Sequence, residues 1–431
     1  MPNLAAEIEE AIRAHRLPSL DDALPRDEFI VPHYGGLSIA NLPATEAALL
    51  GVSLPGAPPI PQDVWGEFAG GVRCIVRVVI DALGYYHLRR IMATQPDSMF
   101  HQLLRRGGQL IPLTSVCPST TTTALASLWT GQTPTSHGML GTRLFLREQG
   151  LRAHMIYFNP IGLGPRNLLL AEGMDAAQFL PTPGLAEILA GQGVETHVFI
   201  SQQYVKGGLS EIFFRGVKKI HGFTPGSGAD LWMTLRSLLE ERAGERLFVS
   251  VYWSLIDSLV HRRGPSSPAI DAELSAWTTL MEREFLSSPA AQAGTVLTLL
   301  ADHGAKDTPP ARAVRLDHHP ELLRHLLMKP LGEQRLPYLF VRQGQVGAVR
   351  RYLRERLGHA FVALDSTQAG ELFGPGPPAA ETVARMGDLI LVSRQDHILY
   401  DGNVKPYLLG HHGGLSPEEM LVPYLITRLD G

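Results

Sequence analysis

Residues 116–140 read VCPSTTTTALASLWTGQTPTSHGML, a proline turn and four threonines followed by a short apolar run that is typical of a helix. A threonine at the point where a turn opens into a helix has its hydroxyl near free backbone N–H groups, which favour an anion. Threonines are also common helix caps, and residues 120–123 fit that role equally well. The segment alone therefore predicts either a nucleophile at an anion site or a capped helix.

Short runs of apolar and β-branched residues lie on both sides of this segment. Their composition predicts buried strands of the parallel type at residues 73–81, 109–116, 152–158, 195–200, 246–253 and 294–301. Helical patterns lie between or after them at about residues 183–191, 228–242 and 269–287. A further strand pair is predicted at residues 387–393 and 397–402, and a final strand follows a helical turn after residue 415. The alternation predicts an α/β fold with a doubly wound, mostly parallel sheet.

Acidic and histidine residues stand directly after several of these strands. Asp81 ends one predicted strand, and Asp302 and His303 directly follow another. Asp257 and His261 are four residues apart, so one helical turn lets both side chains face the same point. Because sites in open α/β sheets form at the carboxyl ends of the strands, these side chains are predicted to converge there with the threonine segment.

His412 lies in a His-His-Gly-Gly stretch near the C-terminus and completes a set of six potential metal ligands. Three carboxylates and three imidazoles without a thiolate suit Zn²⁺ and also Mn²⁺. Six ligands are too many for one catalytic zinc with an open position, but they suit two ions with three ligands each. The sequence therefore predicts two divalent metal ions, with Zn²⁺ favoured.

The composition excludes several other classes. The 431 residues are 45% hydrophobic and 19% charged, as in ordinary soluble globular proteins. A net charge of −4 gives no electrostatic basis for binding nucleic acid or a membrane surface. With only Cys74 and Cys117, neither a disulfide framework nor a thiolate zinc site is expected. The N-terminal helix is acidic and has no apolar signal region, so we expect a cytoplasmic protein.

The chain divides by composition into three stretches. Residues 1–70 hold one helix and a Pro/Gly-rich passage, and they are predicted to form an N-terminal extension along the surface. Residues 71–431 are predicted to form the catalytic domain. Within it, the Arg-rich stretch at about residues 330–400 is predicted to form a small inserted α+β subdomain.

The order of these motifs resembles the alkaline phosphatase superfamily, most closely its type I phosphodiesterase/nucleotide pyrophosphatase branch. The matching motifs are Asp81, P-S-T-T at 118–121 with T-G at 130–131 and H-G at 137–138, D-x-x-x-H with G-P at 257–265, D-H-G at 302–304 and H-G-G at 412–414. The likeness extends over residues 73–425. It implies an alkaline phosphatase-like fold and a nucleophile at Thr121.

The resemblance also implies how the metal ligands divide. One ion would be held by Asp257, His261 and His412, and the other by Asp81, Asp302, His303 and the Thr121 oxygen. The implied activity is two-metal hydrolysis of a small-molecule phosphoester through a phospho-threonine intermediate, as a phosphodiesterase, a nucleotide pyrophosphatase or a phosphatase. The alternatives are a phosphomutase or phosphonate hydrolase on the same scaffold, and an inactive metal-binding scaffold. The oligomeric state is left open.

Two positions depart from the family pattern. Thr142, followed by Arg143, stands where the pyrophosphatase branch has an asparagine that holds a phosphate oxygen. Arginine binds phosphate in a bidentate manner, so this pair is a candidate for substrate binding, although a solvated arginine in a loop fits equally well. Thr122 stands where the branch has an aromatic residue that stacks on a nucleobase, so a nucleotide preference is not implied. His137 is predicted to be structural.

Overall fold

The apolar runs form a seven-stranded central sheet in the computed structural model, which describes residues 4–292, 294–402 and 407–430. From one edge to the other the strands are Gln109–Thr114, Leu421–Arg428, Thr295–Leu300, Cys74–Ile80, Leu247–Trp253, Glu195–Ser201 and Lys219–Phe223. Leu421–Arg428 pairs antiparallel with both neighbours, and the other pairs are parallel. The predicted mostly parallel α/β sheet is confirmed, and the carboxyl ends of six strands share one edge.

Both faces of this sheet are covered. Every side chain of the strand Cys74–Ile80 is buried, although successive side chains point to opposite faces. The longer helices between the strands Cys74–Ile80 and Thr295–Leu300 are Tyr85–Thr94, Met99–Arg105, Thr121–Thr130, Leu185–Gly191, Gly228–Glu241, Leu255–Arg263 and Pro268–Met281. The predicted helices near 183–191, 228–242 and 269–287 are among them.

A second sheet of seven short strands is antiparallel throughout. In order its strands are Phe361–Asp365, Leu389–Ser393, Pro337–Leu339, Leu331–Gly332, Arg143–Leu146, Leu151–His154 and Asn159–Pro160. The smaller unit thus draws strands from residues 143–160 as well as from the stretch predicted at 330–400. The division of the chain into an extension, a catalytic domain and a subdomain stays a prediction.

Two strand predictions are wrong in detail. The run predicted at 152–158 is shorter, Leu151–His154, and it belongs to the second sheet rather than to the central one. Its burial is only partial, which suits an antiparallel strand with one face toward solvent rather than a central parallel strand. The two runs after residue 387 do not pair with each other, because Ile398–Tyr400 pairs with Ala313–Arg315 instead.

The N-terminal residues are more deeply embedded than a surface extension would be. Ile39 and Leu42 are fully buried, and Ile30 N–H donates to the Leu415 carbonyl oxygen. Glu46 forms an ion pair of 3.1 Å with Arg77 in the central strand, and both side chains are inaccessible to solvent. The expectation that residues 1–70 follow the surface is therefore wrong for this part of them, since they cover the core.

Candidate active site

The predicted site residues meet at the shared carboxyl edge of the central strands. Asp81 directly follows the strand Cys74–Ile80, and Asp302 and His303 stand two and three positions after the end of Thr295–Leu300. All three side chains are almost fully buried. Parallel strands end side by side at one edge, so this convergence follows from the topology.

Thr121 is the first residue of the helix Thr121–Thr130 and is partly exposed. Its Oγ1 lies 3.1 Å from His303 Nε2 and 3.5 Å from Asp81 Oδ1. The residue before it, Thr120, makes no side-chain cap hydrogen bond to this helix. The interpretation of this threonine stretch as a helix cap is therefore wrong for Thr120, and Thr121 faces the acidic cluster.

Asp257 and His261 lie on one side of the helix Leu255–Arg263, as their spacing predicts. The His261 Nε2 atom lies 3.3 Å from Asp257 Oδ1, and His412 Nε2 lies 3.6 Å from the same oxygen. The structure therefore brings His412, more than 150 residues further along the chain, to the acidic end of this helix.

Two groups of side chains in the described residues have ligand atoms close enough to hold a metal ion. They are Asp257, His303 and His412, and Asp81, Asp302 and His303, with the ligand atoms of each group within 4.8 Å of one another. His303 belongs to both groups, whereas the family resemblance places it with only one ion. The predicted assignment of each ligand to one of two ions stays a prediction.

Backbone carbonyl groups orient all three imidazoles in the same way. The Nδ1 atoms face carbonyl oxygens, in His261 that of Gly410 at 2.8 Å, in His303 that of Gly304 at 2.9 Å and in His412 that of Ser119 at 3.2 Å. An Nδ1 that donates to a carbonyl leaves Nε2 as the unprotonated nitrogen of a neutral ring. Burial and the neighbouring histidines hold the pKa of His412 well below its usual value, so this ring stays neutral.

The donor set fits a cation. Asp257 Oδ1 and Asp302 Oδ2 are buried and, among the described residues, accept no hydrogen bond. The imidazole Nε2 atoms that face them are acceptors too, so acceptor faces acceptor at 3.3–3.6 Å. Burial, together with the charges of Asp302 and Asp257, raises the pKa of Asp81 well above its usual range. A divalent cation between these groups would satisfy the lone pairs and keep the carboxylates ionised.

Tyr252 is a site residue that the sequence reasoning missed. Its hydroxyl donates a hydrogen bond to Asp81 Oδ2, so it fixes the carboxylate whose other oxygen faces Thr121. The available signal was its place near the end of a buried strand, five residues before Asp257.

A buried ion pair holds the loop that carries His412. Glu419 accepts hydrogen bonds from Gly414 N at 2.8 Å and Ser416 N at 3.3 Å, and Arg335 Nε donates to it at 2.6 Å. Arg335 and Glu419 are both fully buried. No local sequence motif predicts this ion pair, because its two residues are 84 positions apart.

Thr142 and Arg143 are engaged elsewhere. The Thr142 N–H donates to Glu333 at 2.6 Å, and the Arg143 guanidinium binds both carboxylate oxygens of Asp401 at 3.0 Å. Substrate binding by these two residues stays a prediction, and Arg143 is already paired with Asp401.

A cavity of about 280 Å³ opens beside the acidic cluster. Its lining includes Asp81, Thr121, Tyr252 and Asp257 together with residues of two segments, 156–167 and 203–210. A larger cavity of about 790 Å³ lies between the N-terminal residues and residues 366–386, and none of the predicted site residues lines it. The smaller cavity is therefore the candidate substrate pocket.

The comparison with known families decides the classification. The type I phosphodiesterase/nucleotide pyrophosphatase family model matches residues 75–158 and 188–415, which is most of the chain. The chain belongs to this family. The resemblance inferred from the motifs is thereby confirmed, and the chain is a member of a phosphoester hydrolase family within the alkaline phosphatase superfamily.

Solved structures of this superfamily share the fold. Murine ectonucleotide pyrophosphatase/phosphodiesterase 5 is 16% identical, with a TM-score of 0.59 over 82% of this chain and 87% of that chain. Phosphonoacetate hydrolase from Sinorhizobium meliloti 1021, in complex with phosphonoformate, is 17% identical, with a TM-score of 0.61 over 83% and 90%. No curated protein sequence matches significantly. No helix in the described part of the chain has the length and apolar character needed to cross a bilayer.

Proposed function

We propose that this protein is a metal-dependent phosphoester hydrolase in which Thr121 is the nucleophile and forms a phospho-threonine intermediate. The observation that carries the proposal is the position of Thr121 Oγ1, which lies within 3.5 Å of both His303 and Asp81 beside the orphaned carboxylate oxygens. The cavity beside it leaves room for a small-molecule phosphoester. The proposed location in the cytoplasm rests on sequence composition alone.

The proposed metal sites are the two predicted ligand sets. Asp257, His261 and His412 would hold one divalent ion, and Asp81, Asp302, His303 and the Thr121 oxygen the other. Nitrogen and carboxylate donors without sulfur favour Zn²⁺, with Mn²⁺ as the second choice. Bound ions of this kind lower the pKa of a nearby hydroxyl and stabilise charge on phosphoryl oxygens.

The residues of the chain then divide the reaction between them. Thr121 Oγ1 loses its proton and attacks phosphorus, the bond from phosphorus to the leaving oxygen breaks as the new bond forms, and the leaving group takes up a proton and departs as its alcohol. Tyr252 donates to Asp81 and holds its carboxylate toward Thr121. A water molecule then attacks the phospho-threonine, which restores the hydroxyl and releases phosphate or a phosphate monoester. An inactive variant of the murine relative, with one threonine replaced by alanine, has been solved in complex with AMP.

Substitution of Thr121 tests the role of the nucleophile. We expect Thr121→Ala, loaded with Zn²⁺ or Mn²⁺, to hydrolyse p-nitrophenyl phosphate and a p-nitrophenyl phosphodiester at least about 10³-fold more slowly than the wild type. Thr121→Ser keeps a hydroxyl and should retain measurable turnover. Metal analysis of each variant establishes that the binding site is intact. Wild-type rates in the alanine variant would remove Thr121 from the mechanism.

Phosphonate hydrolysis is the second candidate, because the chain shares its fold with phosphonoacetate hydrolase. In that reaction the bond broken is phosphorus to carbon, and phosphonoacetate would yield phosphate and acetate. Release of phosphate from phosphonoacetate, without release from either p-nitrophenyl ester, would favour this function over the first. A phosphomutase would release no phosphate, and an inactive scaffold would convert none of these compounds.

A further inference from the structure

Two cationic side chains line the same cavity as Thr121 without a role in the mechanism above. They are Arg166 and Lys206, and both are exposed. In the described residues neither makes an ion pair, whereas Arg143 and Lys218 are paired with carboxylates. The side chains of Arg166 and Lys206 are thus available to an anion that enters the cavity.

Asn167 connects the backbone around these two cations through hydrogen bonds. Its Oδ1 accepts from Gly208 N at 3.2 Å, its Nδ2 donates to the Lys206 carbonyl at 3.3 Å, and its own N–H donates to the Tyr157 carbonyl at 2.7 Å. Asn167 has a φ of +63°, a left-handed conformation that asparagine tolerates better than most residues. The residues that carry the two cations are therefore fixed next to each other.

Packing adds to this arrangement. The Arg166 guanidinium lies 4.5 Å from the centre of the Tyr157 ring, in the geometry of a cation–π contact. Gly208, the first residue of the helix Gly208–Phe213, approaches Phe158 so closely that a Cβ there would lie 2.1 Å from the ring, so this position needs glycine. The segments 156–167 and 203–210 form one wall of the cavity, and Arg166 is held on it before any ligand binds.

The cavity also has apolar surface to offer. Ile156 and Tyr157 are 38% and 42% exposed, which is high for large apolar side chains, and Leu125 and Phe213 line the same space. The phosphoryl group of a substrate belongs beside Thr121 and the metal ligands. The apolar surface and the two cations therefore line the space beside it, where the organic part of the substrate would lie.

We propose that Arg166 and Lys206 form a subsite for a second anionic group, a carboxylate or a phosphonate or phosphate, on the organic part of the phosphoester. This inference rests on the proposed function of Thr121. It defines the substrate class as small phosphoesters that carry a further negative charge beyond a short apolar spacer.

Three aryl phosphates that differ at one position provide the test. They are 3-carboxyphenyl, 3-phosphonophenyl and 3-carbamoylphenyl phosphate, each prepared as the monoester and as its methyl diester, so that the amide supplies a neutral match. We expect the metal-loaded wild type to prefer the anionic esters in kcat/KM. In Arg166→Gln/Lys206→Gln this preference should fall at least tenfold, and added salt should reduce it in the wild type. The two anionic esters separate carboxylate from phosphonate recognition.

Lys219→Gln is the matched control, because Lys219 is also exposed but begins its strand, at the opposite edge of the sheet from the cavity. It should keep the wild-type preference. Equal kcat/KM for the three esters in the wild type, or an unchanged preference in the double variant, would overturn the subsite.

Calorimetric binding to Thr121→Ala separates failure of the subsite from failure of the proposed function. We expect the anionic compounds to bind at least tenfold more tightly than the amide, and the difference to disappear when both cations are also replaced. This result would support the subsite even if no ester were turned over. Equal affinities would contradict it whatever the catalytic rates.

Discussion

His303 contributes to both groups of candidate metal ligands and also lies 3.1 Å from the Thr121 hydroxyl. Its Nδ1 is fixed by the Gly304 carbonyl, so the ring presents one nitrogen to the carboxylates on either side. His261, by contrast, faces only Asp257 among these carboxylates. The two histidines therefore differ in how many candidate metal positions they face: His303 faces both, and His261 faces the one beside Asp257.

Replacement of His303 should remove more bound metal from the protein than replacement of His261. We expect His303→Ala to lose the Zn²⁺ held with Asp81 and Asp302 and to weaken binding of the ion beside Asp257, because its imidazole lies near both ligand groups. His261→Ala should lose only the ion beside Asp257. Metal content of the dialysed proteins, measured by mass spectrometry, checks this, and a His303→Ala protein that keeps the wild-type metal content would disprove the shared position.

The sequence revealed single residues well where chemistry and local spacing coincide. Asp81, Asp302 and His303 end continuous apolar strands, and the spacing of Asp257 and His261 matches one helical turn. The same reasoning could not foresee partners that are distant in sequence. The Arg143–Asp401 pair, separated by 258 positions, is one example, since nothing in the local pattern around either residue points to the other.

At the scale of elements, the segment Leu42–Leu49 is fixed to the central strand by the Glu46–Arg77 ion pair. Glu46 also accepts from Thr298 at 3.0 Å, and Arg77 donates to the Leu128 carbonyl at 3.0 Å. The Pro/Gly-rich composition of the N-terminal residues predicted a segment along the surface, but it carries no information on which helix covers the sheet. The local sequence pattern does not predict that Glu46 is buried, because its partner Arg77 is 31 residues away.

Removal of Glu46 should destabilise the protein by about 3–5 kcal/mol, because it leaves the Arg77 charge buried without a partner. Urea unfolding of Glu46→Ala measures this loss. The exposed Glu10 serves as the control position, and Glu10→Ala should change the free energy of unfolding by less than about 0.5 kcal/mol. Replacement of both partners by methionine should recover much of the loss. Equal effects of the two alanine variants would contradict the structural role of the pair.

At the scale of the whole molecule, stability in acid depends on histidines that are buried in neutral form. His137 is the clearest case, since burial lowers its pKa to about 3. Its Nδ1 accepts from Met139 N at 3.1 Å, and its Nε2 lies 2.9 Å from Ser127 Oγ. A proton on Nδ1 would remove the first contact and place a charge near Arg385.

The pH dependence follows from the direction of this shift. The unfolded chain binds a proton at His137 below a pKa of about 6.5, and the folded chain binds it only near pH 3. The free energy of unfolding should therefore fall by about 1.4 kcal/mol per pH unit from this residue as the pH drops below 6.5. Urea unfolding at pH 7.5 and 5 should show a smaller pH dependence for His137→Gln than for the wild type. Equal pH dependence would show that His137 is not buried neutral.

The overall architecture was the part of the structure most accessible from sequence. Alternating apolar strands and amphipathic helices specify the central sheet, because a fully buried parallel strand needs a continuous apolar run. The second sheet was harder, since its strands are short and partly exposed, and two of its members come from residues 143–154. The order of its strands depends on pairings between distant residues.

In the proposed function, phosphoryl transfer proceeds in two displacements through Thr121. The most direct test is the stereochemical course at phosphorus, measured by ³¹P NMR on a chiral phosphorothioate diester hydrolysed in ¹⁸O-labelled water by the metal-loaded protein. Each in-line displacement inverts the configuration, so a phospho-threonine intermediate predicts net retention. Net inversion would show direct attack by water and would contradict the role of Thr121 as nucleophile.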